Sequence, residues 1–193
     1  MERNDYIESL NKYIGYKKNQ LDGLKNISLP VFSVKKINCD LITEKYFEKF
    51  YKSLKLDSKQ STIYYFKIPE RYNQKKIIDS LIKYKSEHQG KNQGNDIHYL
   101  ALPQVNNVNP NNILYVGKSI SSTKYRLKGH FGLASNSYYG MHLLAWKTKI
   151  NIKPKLQLEF YFGQIPTKDN LTLELIESSL HHSLKPILGR EGS

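Results

Sequence analysis

Four short runs read as strands, at 62–68, 97–102, 113–117 and 155–162, alternate along the chain with segments whose apolar residues recur every three or four positions. The first pattern suits strands and the second suits helices with one buried face. A chain that keeps switching between these periods can form neither a helical bundle nor an all-β sandwich. It predicts an α/β (α+β) fold in which helices cover a small sheet.

Helical periodicity covers 5–24, a stretch after Asp40 with Tyr46, Phe47, Phe50, Tyr51 and Leu54 as its stripe, and roughly 72–84. Two more helices are expected at 123–131, closed by Gly132, and at 171–184, stopped by Pro186. Between 86 and 96 the residues SEHQGKNQGND are polar, aperiodic and carry two glycines, which marks a loop. The division expected there leaves residues 1–95 as a basic, mainly helical N-terminal region with one strand, 62–68, and residues 96–193 as a compact domain. In that domain 97–102 and 113–117 flank an Asn- and Pro-rich turn as a hairpin, and 155–162 adds a third strand. The expected sheet is three-stranded and mostly antiparallel, flanked by helices.

The 193 residues hold 30 Lys and Arg against 17 Asp and Glu, a formal net charge of +13. With 39% hydrophobic residues this is the composition of a folded protein with a basic surface, not of a disordered one. Such a surface concentrates polyanions, so nucleic acid is the first partner to consider. Cys39 is the only cysteine, which excludes an internal disulfide framework and a cysteine-rich zinc site and fits a reducing, cytoplasmic setting. Nowhere do about eighteen apolar residues run together, so neither a membrane span nor an export leader is expected.

The residues that carry chemistry lie in the last hundred positions: Ile97-His-Tyr99, then Ile113-Leu-Tyr115-Val-Gly117-Lys118, Arg126, His130, and Glu177 nine residues before Pro186. In this order they resemble a GIY-YIG nuclease. The resemblance implies a GIY-YIG-like fold and a divalent-metal-dependent endonuclease acting on DNA, with Tyr99, Tyr115, Lys118, Arg126, His130 and Glu177 as site residues and Glu177 holding Mg2+ or Mn2+. A competing first motif is Thr62-Ile-Tyr64, fifty-one positions before Tyr115. Gly189 stands where the family carries an asparagine.

The chemistry suits these residue types on its own terms. Phosphodiester hydrolysis needs an in-line water, charge neutralisation at the phosphate and help for the departing alkoxide. One hard divalent ion on one carboxylate serves the last two, and Glu177, beside Leu173 and Leu180, suits that role, with Glu174 one turn earlier as the fallback. Arg126 and His130 stand at i and i+4 and so project from one helix face. A guanidinium grips two phosphate oxygens, and a histidine titrating near neutrality can donate to phosphate or carry a proton. The tyrosines would orient the water, with Lys118 lowering a phenol pKa. All the expected site residues then meet on one surface.

Within this reading a restriction-type enzyme is the leading subtype. The alternatives are a nucleic-acid-binding module that keeps the fold without catalysis and a structure-specific repair or recombination nuclease. DNA is the expected partner, RNA and a homodimer remain open, and no membrane partner is expected.

Overall fold

The computed structural model describes residues 8, 11–16, 18, 22, 30–87, 100–106, 112–146, 148–150 and 156–190. Its centre is a four-stranded antiparallel sheet, built from β1 (Ser33–Asn38), β2 (Ser61–Lys67), β3 (Ile113–Ser119) and β4 (Gln157–Ile165) in the order β1-β4-β2-β3. Among the described residues four bounded helices accompany it, α1 (Glu44–Leu54), α2 (Gln74–Glu87), α3 (Thr123–Phe131) and α4 (Asn170–Leu184), and residues 11–16 of the expected helix 5–24 are helical, most of the rest of that segment lying outside the described residues. The α+β class agrees with expectation, and the strand count does not.

The extra strand is β1, whose sequence SVKKIN hides its alternation behind Lys35 and Lys36. Lysines suit an edge strand, where they discourage pairing with another chain. The partner of β3 also differs from expectation. Residues 97–99 of the expected hairpin lie outside the described residues, and Leu100–Leu102, though buried, belong to no strand. The strand paired with β3 is β2, with Tyr64 opposite Gly117 and Phe66 opposite Tyr115. The physical reason lies in β2 itself: Tyr64 and Phe66 are fully buried in the large core and Ile63 is fully buried on the other face under α4, as suits a strand flanked by two others.

The division expected at residue 95 runs through this sheet, since β1 and β2 precede it and β3 and β4 follow. One core cluster draws on Ile37, Phe47, Phe50 and Phe66 from one side and on Tyr115, Phe131, Trp146 and Phe160 from the other.

Strand alternation sorts the helices. Tyr64, Phe66, Tyr115 and Phe160 face the large core, where α3 buries Leu127 and Phe131. The Phe131 ring lies 5.1 Å from those of Phe47 and Phe50 on α1. Ile63 points the other way, into a smaller cluster with Ile165, Leu173 and Ile176 under α4.

Helix α3 ends as the sequence indicates. Gly132 adopts the left-handed conformation (φ 80°), and its N–H caps the carbonyls of Gly129 and Lys128. A loop then packs the Tyr138 ring where Gly129 has no Cβ, and Thr123 Oγ1 donates to Thr62 Oγ1 at 3.2 Å. These contacts hold α3 against β2 and fix where its side chains reach.

Candidate functional site

The site is built around two tyrosines that stand on the same face of neighbouring strands, Tyr64 on β2 and Tyr115 on β3. Both are fully buried. Gly117 makes their approach workable: a Cβ there would sit 2.8 Å from Tyr64 Oη and Cζ and 2.8 Å from Tyr115 Cε1, closer than a real Cβ tolerates. The glycine of the Tyr-Val-Gly motif is therefore explained by the space two tyrosine rings need. Gly189, at φ 106°, closes the other side of Tyr115, where an added Cβ would lie 3.3 Å from the ring. The side-chain amide of Asn106 donates to the carbonyls of Pro186 (3.0 Å) and Gly189 (2.8 Å) and ties this turn to the chain before β3.

Helix α3 supplies the next two groups. Arg126 Nη2 donates to Tyr115 Oη at 3.4 Å, and its Nε is buried without a hydrogen-bond partner. His130 Nε2 lies 3.2 Å from Tyr64 Oη, while Nδ1 accepts the Met141 N–H at 3.4 Å. The ring is fully buried and 4.5 Å from that of Tyr115. Residues 126 and 130 thus do share a helix face, each bonded to one tyrosine.

Glu177 comes from α4, on the other side of the sheet, and is only 2% exposed. Lys118 Nζ lies 3.1 Å from Glu177 Oε2 and 3.6 Å from Glu174 Oε1. The first contact is a charge pair in which the carboxylate oxygen lacks a well-aligned hydrogen bond. Glu174 is more exposed and accepts from Asn170 Nδ2 at 2.7 Å. Lys118 therefore serves the carboxylates rather than the phenols. The coupling of Glu177 to the tyrosine cluster is electrostatic: its charge raises the pKa of both Tyr64 and Tyr115 and is itself stabilised by Arg126.

Burial dominates the titration of the cluster. It pushes Tyr115 up to about 12 and Tyr64 well above the usual phenol value, although Arg126 opposes both shifts. It raises the Glu177 carboxyl above its ordinary value against the pull of Lys118 and Arg126. It also drives His130 well below the usual imidazole value, with Arg126 adding to the effect.

The tautomer follows. A neutral His130 whose Nδ1 accepts must carry its proton on Nε2, so Nε2–H donates to Tyr64 Oη. Both phenols then accept from protein donors and keep their own O–H protons for another partner. Together with Arg126 Nε–H, three donors converge with their capacity unspent. Such a set is suited to an oxyanion.

Of the expected site residues, Tyr115, Arg126 and His130 meet directly, whereas Lys118 and Glu177 pair with each other on the face of the sheet under α4 and reach Arg126 only electrostatically, so the expected residues do not all meet on one surface. Tyr99 lies outside the described residues, and Tyr64 completes the cluster. His130 has no exposed surface and both nitrogens are engaged, so its reach ends at Tyr64 rather than at a phosphate. His142 is buried too, its Nε2 2.7 Å from the Tyr138 carbonyl. Among the described residues no three or more His, Cys, Asp and Glu side chains are grouped to hold a metal ion, and no helix is long and apolar enough to cross a membrane. Neither a family model, nor a curated protein, nor a solved structure matches this chain.

Proposed function

We propose that the protein is a divalent-metal-dependent endonuclease of GIY-YIG type that hydrolyses DNA phosphodiester bonds, with Tyr64 in the part first expected of Tyr99. The observation that carries this reading is the convergence of two phenol O–H groups and the unpartnered Arg126 Nε–H, with the buried Glu177 carboxylate in electrostatic reach.

The division of labour follows from the titration. Neutral phenols donate, so Tyr64 and Tyr115 orient the attacking water and a phosphate oxygen rather than removing a proton. Arg126, charged at any working pH, takes the charge that grows on the non-bridging oxygens. His130 is a positioning residue that sets the direction of the Tyr64 hydroxyl.

Glu177 is the residue that would hold Mg2+ or Mn2+, being the buried carboxylate in electrostatic reach of Arg126, although its Oε2 already pairs with Lys118 at 3.1 Å, and the ion would supply charge for the departing oxygen. Lys118 balances the carboxylate charge beside it. The restriction subtype rests on the resemblance.

A second reading, a DNA-binding module without catalysis, is favoured by the complete burial of Tyr64 and Tyr115, whose hydroxyls a substrate must reach. Incubating the protein with supercoiled plasmid and with RNA, in Mg2+ and in chelator, separates the two. Metal-dependent nicking of the plasmid supports the nuclease. DNA binding with no cut under any divalent metal moves the protein to the second reading.

A further inference from the structure

Strand alternation places Tyr65 and Lys67 of β2, Glu159 and Tyr161 of β4, and Val34 and Lys36 of β1 on the face opposite the large core. Helix α4 covers one end of that face, over Ile63 and Ile165. Among the described residues no element covers the rows beyond it. Tyr65 and Tyr161, direct partners in the ladder, stack with ring centroids 4.6 Å apart and an interplanar angle of 7°, and both are only half-buried. Phe32 leans on Tyr65, and Val34, opposite Tyr161, is 51% exposed.

The next row sets Lys67 and Lys36 on either side of Glu159, whose carboxylate accepts from Tyr161 Oη at 3.0 Å. It borders a cleft of about 200 Å³ lined by Lys36, Arg71, Gln157 and Glu159. That is below the ~300–1,000 Å³ of an ordinary small-molecule site. It suits one unit of a polymer better than a whole metabolite.

The same face carries Lys118, opposite Ile63 at the end that α4 covers, where it pairs with Glu177, and so adjoins the carboxylate side of the candidate site. Strand spacing and rise separate the Tyr65 and Lys118 backbone positions by roughly 8 Å, a gap that neighbouring nucleotides of an extended strand bridge.

We propose that this open face is a platform for a single strand of DNA leaving the candidate site, its bases packed on Tyr65 and Tyr161 and its phosphates drawn to Lys36, Lys67 and Arg71. The inference rests on the nucleic-acid reading of that site. Three cations around one carboxylate give the face the charge a polyanion requires. Half-exposed aromatic rings favour unpaired bases, because a duplex keeps its base faces stacked inside.

The test is anisotropy of a fluorescein-labelled twelve-nucleotide single strand and of the matching duplex, in chelator, with Tyr161→Leu and Lys36→Ala. Tyr161→Leu should weaken single-strand binding about tenfold and duplex binding less than twofold. Lys36→Ala should flatten the salt dependence by roughly 0.7 in log–log slope. As a check independent of any substitution, an oligonucleotide carrying bromodeoxyuridine should crosslink wild type at Tyr65 or Tyr161. Unchanged affinity in Tyr161→Leu, crosslinks confined to other segments, or equal losses for single strand and duplex each overturn the proposal. The two readings fail separately: a protein that never cuts but binds through Tyr161 keeps the platform and loses the nuclease, and one that cuts normally with Tyr161→Leu binding unchanged does the reverse.

Discussion

His130 Nε2 lies 3.2 Å from Tyr64 Oη and has no exposed surface, so the histidine acts on the site only through the tyrosine it holds. That relationship has a consequence in solution. A histidine buried neutral, with a folded pKa well below its unfolded value, binds no proton in the native state where the unfolded chain already does. Native stability attributable to it is therefore intact above about pH 6.5 and declines below, at most by about 1.4 kcal/mol per pH unit. Denaturant unfolding between pH 7 and pH 5 should show a shallower decline in His130→Gln than in wild type, the residual slope including His142, whose pKa burial also lowers. Parallel slopes would mean that His130 is charged or solvated.

Gly117→Ala should be far more damaging than an exposed glycine substitution. The new methyl meets Tyr64 Oη and Tyr115 Cε1 at 2.8 Å, and neither fully buried ring has room to retreat. Overpacking of this kind costs about 1–3 kcal/mol. Chemical denaturation should show that loss, with cleavage falling more than the folded fraction does, because the ring that moves carries the hydroxyl.

Tyr64→Phe isolates the hydroxyl from the ring. The packing against Phe66 and Phe160 is kept, while His130 Nε2–H loses its acceptor. Leaving that donor unpaired costs about 1–3 kcal/mol of stability. Turnover should fall at least a hundredfold with affinity for DNA nearly unchanged. An active Tyr64→Phe protein would return the first tyrosine's part to a residue such as Tyr99.

How much of this was legible in the sequence depended on whether a signal was local. Helix α3 reads at its full extent because Gly132 punctuates it and Leu127 and Phe131 keep the period. Arg126, His130 and Glu177 stand out through their order along the chain in the resemblance, with spacing adding only that Arg126 and His130 share a helix face. Fifty-one positions separate Tyr64 from Tyr115, which makes Tyr99 the nearer choice by sequence, yet antiparallel pairing takes no account of chain distance once a helix fills the interval. The available signal was the apolar character of 62–68 on both alternating faces, which marks a central strand, whereas 97–102 is merely nearer. Strand β1 shows no readable alternation, because Lys35 shares the core-facing side with Ile37 and Lys36 shares the other side with Val34. The burial that raises the tyrosine pKa values is a property of assembled layers and has no local sequence mark.

Arg126 should show its part in kinetics rather than in binding. On the proposed nuclease reading Arg126→Ala removes a charge that meets the transition state, whereas many surface lysines share ground-state attraction. Turnover should fall by more than a hundredfold while the dissociation constant changes only a few-fold. Arg126→Lys should rescue poorly, since a single ammonium cannot reach both Tyr115 Oη and a phosphate oxygen in fork geometry. Equal losses in affinity and turnover would place Arg126 on the general binding surface.

The most direct test is plasmid cleavage in Mg2+ by Glu177→Gln, compared with wild type and with Glu174→Gln. Glutamine keeps the volume beside Leu173 and Leu180 and removes a charge that burial already disfavours, so the variant should stay folded and hold DNA in chelator at least as tightly as wild type. Lys118 retains Glu174 as a partner. The account predicts that Glu177→Gln does not nick plasmid at any Mg2+ concentration while Glu174→Gln cuts at nearly the wild-type rate. Wild-type cleavage by Glu177→Gln would contradict it.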